Sequence, residues 1–173
     1  MNRSAASIAW LATWRVVVML GSLLFISGVP AAAVFSRLLG VSAALPLLLF
    51  VVLFPASVFV HEWAHALCAF RWSAIRGRRE VAPVSGWGVA MIVRPVLPIR
   101  FDLATTLAGP LAGVLTAAPL VPAAILAAAP AVECLALAVP FAAHLLALAP
   151  IAPDGRAVIA TFRSLEPSSG GSS

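Results

Sequence analysis

Four stretches of this chain are apolar over a length that can cross a lipid bilayer. They are Val16 to Phe35, Leu45 to Phe70, Leu103 to about Ala129, and Val132 to Pro150. A transmembrane helix needs about 20 mostly apolar residues, and helices satisfy all of their backbone polar groups within lipid. The sequence therefore predicts an all-α integral membrane protein with about four transmembrane helices.

The composition supports this fold class and excludes others. Of the 173 residues, 62% are hydrophobic and 10% are charged, which is far outside the range of soluble domains. The net charge of +5 depends on arginine, since the chain has no lysine. These arginines lie between the apolar segments, where they set topology, so the basic charge does not predict nucleic-acid binding.

A polar connection from Arg71 to Phe101 joins the second and third apolar segments. Residues 81–99 are rich in β-branched side chains, glycine and proline, which predicts a short, membrane-associated β-hairpin. The connection is too short to hold an inserted recognition domain.

The distribution of arginines predicts the orientation. With four spans, every arginine except Arg37 lies on one side of the membrane, which the positive-inside rule identifies as cytoplasmic. We therefore expect a multi-pass protein of the cell membrane with both termini and the 71–101 connection in the cytoplasm. The predicted cytoplasmic set is Arg3, Arg15, Arg71, Arg76, Arg78, Arg79, Arg94, Arg100, Arg156 and Arg163.

An HExxH motif, His61-Glu62-Trp63-Ala64-His65, lies near the end of the second apolar segment. Ionisable residues at membrane depth are costly and indicate functional sites. On a helix, residues four apart share one face. This is the spacing of two zinc ligands, with Glu62 as the general base of a metalloprotease.

A catalytic zinc needs about three protein ligands and one open position for water. We predict Asp154 as the third ligand of one Zn²⁺ per chain, because it follows the fourth segment on the same side of the membrane as the motif. Asp102 begins the third segment and is predicted to be an N-cap. The remaining acids, which we expect on the far side or in exposed stretches, are Glu80, Glu133 and Glu166.

His144 is the third histidine of the chain and lies inside the fourth segment. A polar residue at that depth needs a reason, and three roles are open: metal ligand, oxyanion or substrate support, and a hydrogen bond between helices. In the third segment, Gly109 and Gly113 form a GxxxG pattern. It predicts close packing, either against the zinc-binding helix or against any other helix.

Three motifs resemble, in order, those of the site-2 protease family of intramembrane zinc metalloproteases, in a small form without a PDZ domain. They are HEWAH at 61–65, LAGPLAG at 107–113 and Pro153-Asp154-Gly155. The resemblance covers residues 45 to about 160 and implies a three-helix catalytic core formed by segments two to four. It also implies substrates that are membrane-embedded, often regulators such as anti-sigma factors.

The chain departs from that family at three points. Gly113 and Ala147 stand where the family usually has asparagines that assist substrate or oxyanion binding. His144, one turn before Ala147, is a candidate substitute. In addition, Pro153 directly precedes Asp154, where common versions insert a residue.

We divide the chain into an N-terminal transmembrane anchor (residues 1–40), an intramembrane metalloprotease core (41–162) and a disordered tail (163–173). The first segment can also be read as a signal peptide, since Ala31-Ala32-Ala33 resembles a cleavage site. Trp10 and Trp14 favour a retained anchor, because tryptophan suits the membrane interface.

The leading hypothesis is a zinc-dependent intramembrane endopeptidase that cuts a membrane protein in or near its transmembrane segment. The alternative is a catalytically impaired relative that acts as a metal-binding membrane scaffold or chaperone. The missing asparagines favour this alternative, and the intact Glu62 opposes it. A metal transporter ranks last, because the outer halves of segments two to four hold few polar residues. Expected partners are a transmembrane substrate helix, the bilayer, and a regulatory membrane partner or a second copy.

Overall fold

A computed structural model describes residues 4–75, 81–86, 89–93, 97–127 and 129–163, without the side chains of 42, 43, 73–75, 85, 86 and 89–91. This described part of the chain is mostly helical and contains one short hairpin and one 3-10 helix. The elements in chain order are α1 (Ala5–Leu39), α2 (Val41–Ile75), β1 (Ala82–Gly86), β2 (Val89–Val93), α3 (Ile99–Leu126), α4 (Ala131–Ala142), the 3-10 helix (Ala143–Leu148) and α5 (Pro153–Arg163).

Within the described residues, four helical stretches are long and apolar enough to cross a membrane. They are Ala5–Leu39, Ala44–Trp72, Ile99–Leu126 and Ala131–Arg163, the last of which includes α4, the 3-10 helix and α5. The predicted hairpin lies between the second and third of them, with β1 antiparallel to β2. The predicted fold class is therefore confirmed.

The first two helices are longer than the apolar segments that predict them. α1 begins at Ala5 and α2 continues to Ile75, because alanine-rich flanks favour a helix even where hydropathy falls. The flank of α1 packs against α2 and the start of the hairpin in a small core. Its buried members are Ile8, Ala9, Ala66, Ala69 and Val81.

The fourth span is interrupted. α4 passes into the 3-10 helix at Ala143, and residues 149–152 separate that helix from α5. Pro150 and Pro153 stop the helix here as predicted. Pro153 is also the first residue of α5, where the backbone N–H has no partner within the helix, so proline loses no hydrogen bond there. By contrast, α2 runs on through Pro55, as transmembrane helices can when neighbours satisfy the freed carbonyl.

The prediction that Asp102 caps α3 was wrong. Pro98 is the N-cap residue, and the Asp102 N–H already donates to the Pro98 carbonyl at 2.9 Å. Proline has the fixed φ that suits a helix start, so α3 begins four residues earlier, at Ile99. The Asp102 carboxylate instead lies 3.3 Å from the Thr161 hydroxyl of α5.

Several sequence predictions concern residues outside the described ranges. These are the predicted disorder of residues 164–173, the predicted cytoplasmic positions of Arg3, Arg76, Arg78, Arg79 and Arg94, and the predicted exposure of Glu80 and Glu166.

Glycine sets the spacing of α1 and α2. A Cβ built on Gly28 would lie 2.5 Å from Val51 Cγ2, whereas one built on Gly21 would lie 3.9 Å from Pro55 Cγ, an ordinary contact. A β-branched side chain on a helix has one strongly preferred rotamer, so Val51 cannot easily move aside. Gly28 therefore allows α1 to approach α2 more closely than a side chain at this position would permit.

We expect Gly28→Ala to destabilise the protein by about 1–3 kcal/mol, the range typical of overpacking. Gly21→Ala is the matched control and should change little. Adding Val51→Ala to Gly28→Ala should recover part of the loss. Thermal unfolding in detergent measures all three, and equal stability of Gly28→Ala and Gly21→Ala would contradict the packing described above.

Candidate metal centre

The HExxH motif lies on α2 with its first two residues buried. His61 is 7% exposed and Glu62 is 8% exposed. Since His65 follows His61 by four residues, both rings project from one face of the helix. Their Nε2 atoms lie 3.1 Å apart.

Asp154 reaches the same point from α5, which follows the fourth span's break. Its Oδ2 lies 3.3 Å from His61 Nε2 and 3.5 Å from His65 Nε2. It is in the first turn of α5, directly after the break in the fourth span. At Gly155 a Cβ would collide with the carbonyls of Leu148 and Ala149, so glycine allows α5 to fold back and present Asp154 to the histidines.

The three side chains form a group that can hold a metal ion, since their ligand atoms all lie within 4.8 Å of one another. His65 Nδ1 lies 2.7 Å from the Thr105 carbonyl, and a carbonyl can only accept, so this nitrogen carries the hydrogen. A neutral His65 therefore presents its Nε2 lone pair to the carboxylate of Asp154 and to His61. Converging electron pairs in a buried place are costly, and a positive charge bound between them would offset this cost.

Gly109 of α3 makes the His65 hydrogen bond possible. A helical side chain covers the turn before its own position, so a side chain at 109 would cover the Thr105 carbonyl. A Cβ at this position would collide with His65 Nε2 and lie 2.9 Å from His61 Cε1. The first glycine of the GxxxG pattern thus packs on the histidine pair of α2.

The second glycine packs elsewhere. A Cβ at Gly113 would lie 2.5 Å from the Phe141 carbonyl oxygen and 3.5 Å from His144 Cβ. This position therefore joins α3 to the fourth span and leaves no room for a larger side chain.

His144 lies beside the metal group and is not one of its members. Its ring stacks on the His61 ring with centroids 4.5 Å apart, and its Nε2 lies 3.0 Å from Ser57 Oγ. The structure thus provides the hydrogen bond between helices that was one of its three predicted roles. Support of an oxyanion or substrate stays a prediction.

Glu62 lies next to the group without joining it. Its Oε1 is 4.0 Å from His61 Nε2. A carboxylate at this distance can exchange a proton with a water held between the ligands and itself, which is the arrangement a general base requires.

Two polar contributions to the site were missed in the sequence. Ser57 precedes His61 by four residues, so a polar residue on the motif's own helix face was the available signal. The contribution of Thr105 is its backbone carbonyl, which no side-chain pattern reveals.

The position of the site along the helices follows from the packing of α1 on α2. The Trp10 ring meets the Phe59 ring at 6.4 Å, so the motif that follows Phe59 lies beside the N-terminal part of α1. Arg15 is in this part, with its guanidinium over the Trp14 ring at 5.2 Å. Arginine and tryptophan are typical of the membrane–water interface, so the site lies near side chains that suit this interface.

No family model, curated protein or solved structure matches this chain.

We expect Gly109→Ala to weaken the binding of divalent metal by at least about 10-fold, since loss of an outer hydrogen bond typically weakens it 10–100-fold. The methyl group would displace His65 from the Thr105 carbonyl. Gly21→Ala, again in a membrane helix but without a close neighbour, is the control. Metal titration of the purified proteins measures the effect, and equal affinities would show that α3 does not position the histidines.

Proposed function

We propose that this chain is a zinc-dependent intramembrane endopeptidase of the site-2 protease type. The observation that carries the proposal is the meeting of His61, His65 and Asp154, with Glu62 beside them, between helices long enough to cross a membrane. Two imidazoles, one carboxylate and a nearby free carboxylate are the side chains that a metal-assisted hydrolase needs.

The spacing of the donor atoms favours zinc. Nitrogen and oxygen ligands lie about 2.0–2.1 Å from zinc, so neighbours at a regular tetrahedron lie about 3.3 Å apart. The observed separations are 3.1, 3.3 and 3.5 Å. Calcium and magnesium prefer oxygen ligands, so a set with two nitrogens favours one zinc ion per chain, with the fourth tetrahedral position open.

The chain's own residues supply the remaining chemistry. A bound zinc ion acts as a Lewis acid towards water and a peptide carbonyl. Glu62 accepts the proton of the attacking water and returns it to the amine that leaves. His61, His65 and Asp154 fix the position of this event relative to Glu62.

The substrate class follows from where the site lies. It lies among apolar helices, near the part of α1 that carries Trp14 and Arg15, so we propose that it cuts a membrane protein near the end of its transmembrane helix. We infer from the arginine distribution that this side faces the cytoplasm at the cell membrane. The substrate must unwind locally, because a helix keeps its carbonyls in internal hydrogen bonds.

One observation favours the scaffold alternative. Gly113 packs on the Phe141 carbonyl, so no side-chain amide can stand at this point to assist an oxyanion. A chain of this kind would keep the metal for stability and bind membrane helices without cutting them.

We expect Asp154→Ala to weaken zinc binding by more than about 100-fold, since a lost ligand exceeds the 10–100-fold effect of a lost outer contact. Glu133→Ala, which removes an acid in the first turn of α4, is the control. Zinc content and chelator competition of the purified proteins measure both. Unchanged binding in Asp154→Ala would remove this carboxylate from the ligand set.

We expect Glu62→Gln to keep zinc affinity within a few-fold and to lower cleavage by about 100-fold or more, the usual contribution of a general base. The measurement is a comparison of new protein N-termini in membranes of cells that express wild type or Glu62→Gln. Sites cut only with the wild type identify substrates. Equal sets of N-termini, with zinc bound to both proteins, would favour the scaffold.

A further inference from the structure

The two histidines of the metal group are held in different ways. His65 donates its Nδ1–H to the Thr105 carbonyl at 2.7 Å. His61 Nδ1 is buried and has no hydrogen-bond partner among the described residues. Metal-binding histidines normally donate this N–H to an acceptor, which fixes the orientation of the ring. The His61 ring therefore needs another means of orientation.

The neighbour that can supply it is His144. The rings of His61 and His144 stack with centroids 4.5 Å apart and planes at 29°. Stacked rings with offset or near-parallel planes attract each other beyond their buried area. The contact joins the 3-10 helix of the fourth span to α2.

His144 is itself fixed by Ser57. The Ser57 hydroxyl has no exposed surface and lies 2.7 Å from the Phe54 carbonyl, which must accept its single hydrogen. The hydrogen between Ser57 Oγ and His144 Nε2, 3.0 Å apart, therefore belongs to His144. This N–H is engaged, so it is not free to donate to a substrate oxyanion while the bond lasts.

We propose that His144 is a positioning residue that fixes the plane of the His61 ring by stacking, and that Ser57 holds His144 in place. Ser57 and His61 stand one turn apart on α2, so His144 is attached to the same helix at two points. The inference rests on the metal site of the proposed function and does not depend on peptide hydrolysis.

The test compares the zinc affinity of purified wild type, His144→Ala, His144→Phe, Ser57→Ala and the double variant Ser57→Ala/His144→Ala. The visible absorption of the Co²⁺-substituted proteins reports the ligand geometry directly. Leu145→Ala is the control, because Leu145 is the next residue of the same 3-10 helix and is 44% exposed. Helix content and thermal unfolding establish that each variant is folded.

We expect His144→Ala to weaken zinc binding about 10–100-fold and to change the Co²⁺ spectrum, while Leu145→Ala matches wild type. His144→Phe keeps a ring on His61 and should recover much of the affinity. Ser57→Ala should weaken binding less than His144→Ala does. The double variant should be no weaker than His144→Ala, since Ser57 acts through His144.

Zinc affinity of His144→Ala within twofold of wild type would overturn the inference, as would additive losses in the double variant. Lower cleavage with unchanged zinc affinity would assign His144 to the substrate and overturn it as well. If His144→Ala does not fold, Ser57→Ala and His144→Phe decide. Absence of zinc from wild type would refute the proposed function too, whereas stoichiometric zinc that is indifferent to residues 57 and 144 refutes this inference alone.

Discussion

The meeting of three electron-pair donors inside an apolar bundle is the constraint on which the rest of this structure depends. Two imidazole nitrogens and a carboxylate oxygen lie 3.1–3.5 Å apart, and such groups are expensive to bury without a compensating charge. A cation bound at this point would offset that cost. The long helices, the broken fourth span and the glycines of α3 all serve to bring these donors together.

Close approach of the helices follows from small residues. Between helices in lipid the hydrophobic effect contributes little, so association depends on van der Waals contact and hydrogen bonds. Gly28 brings α1 onto α2, Gly109 brings α3 onto the histidines, and Gly113 brings α3 onto the fourth span. Gly109 allows α3 to pack on the histidines, and it also leaves the Thr105 carbonyl accessible to His65. The same residue therefore determines both the packing and the hydrogen bonding at the site.

The sequence allowed the spans, the hairpin and the convergence of His61, His65 and Asp154 to be predicted, because each depends on a local pattern or on membrane sidedness. The helix ends of α1 and α2 and the N-cap of α3 were harder, since the helices continue where hydropathy falls and Pro98 takes the position expected for Asp102. The hydrogen-bond partner of His65 is a backbone carbonyl, and that of His144 is a serine 87 residues away in the sequence. Neither contact produces a local sequence pattern from which it could be predicted.

The break in the fourth span links these observations. Irregular backbone at membrane depth is tolerated where it is buried in protein or lines a water-filled cavity. Here the interrupted stretch carries His144 on its 3-10 helix and delivers Asp154 just after residues 149–152. One irregular segment thus supplies one member of the candidate metal group, Asp154, and the ring that stacks on a second member, His61. An uninterrupted helix would rise about 15 Å between residues 144 and 154, and it could not bring both side chains to His61. The departure from regular structure is therefore what makes the site geometrically possible.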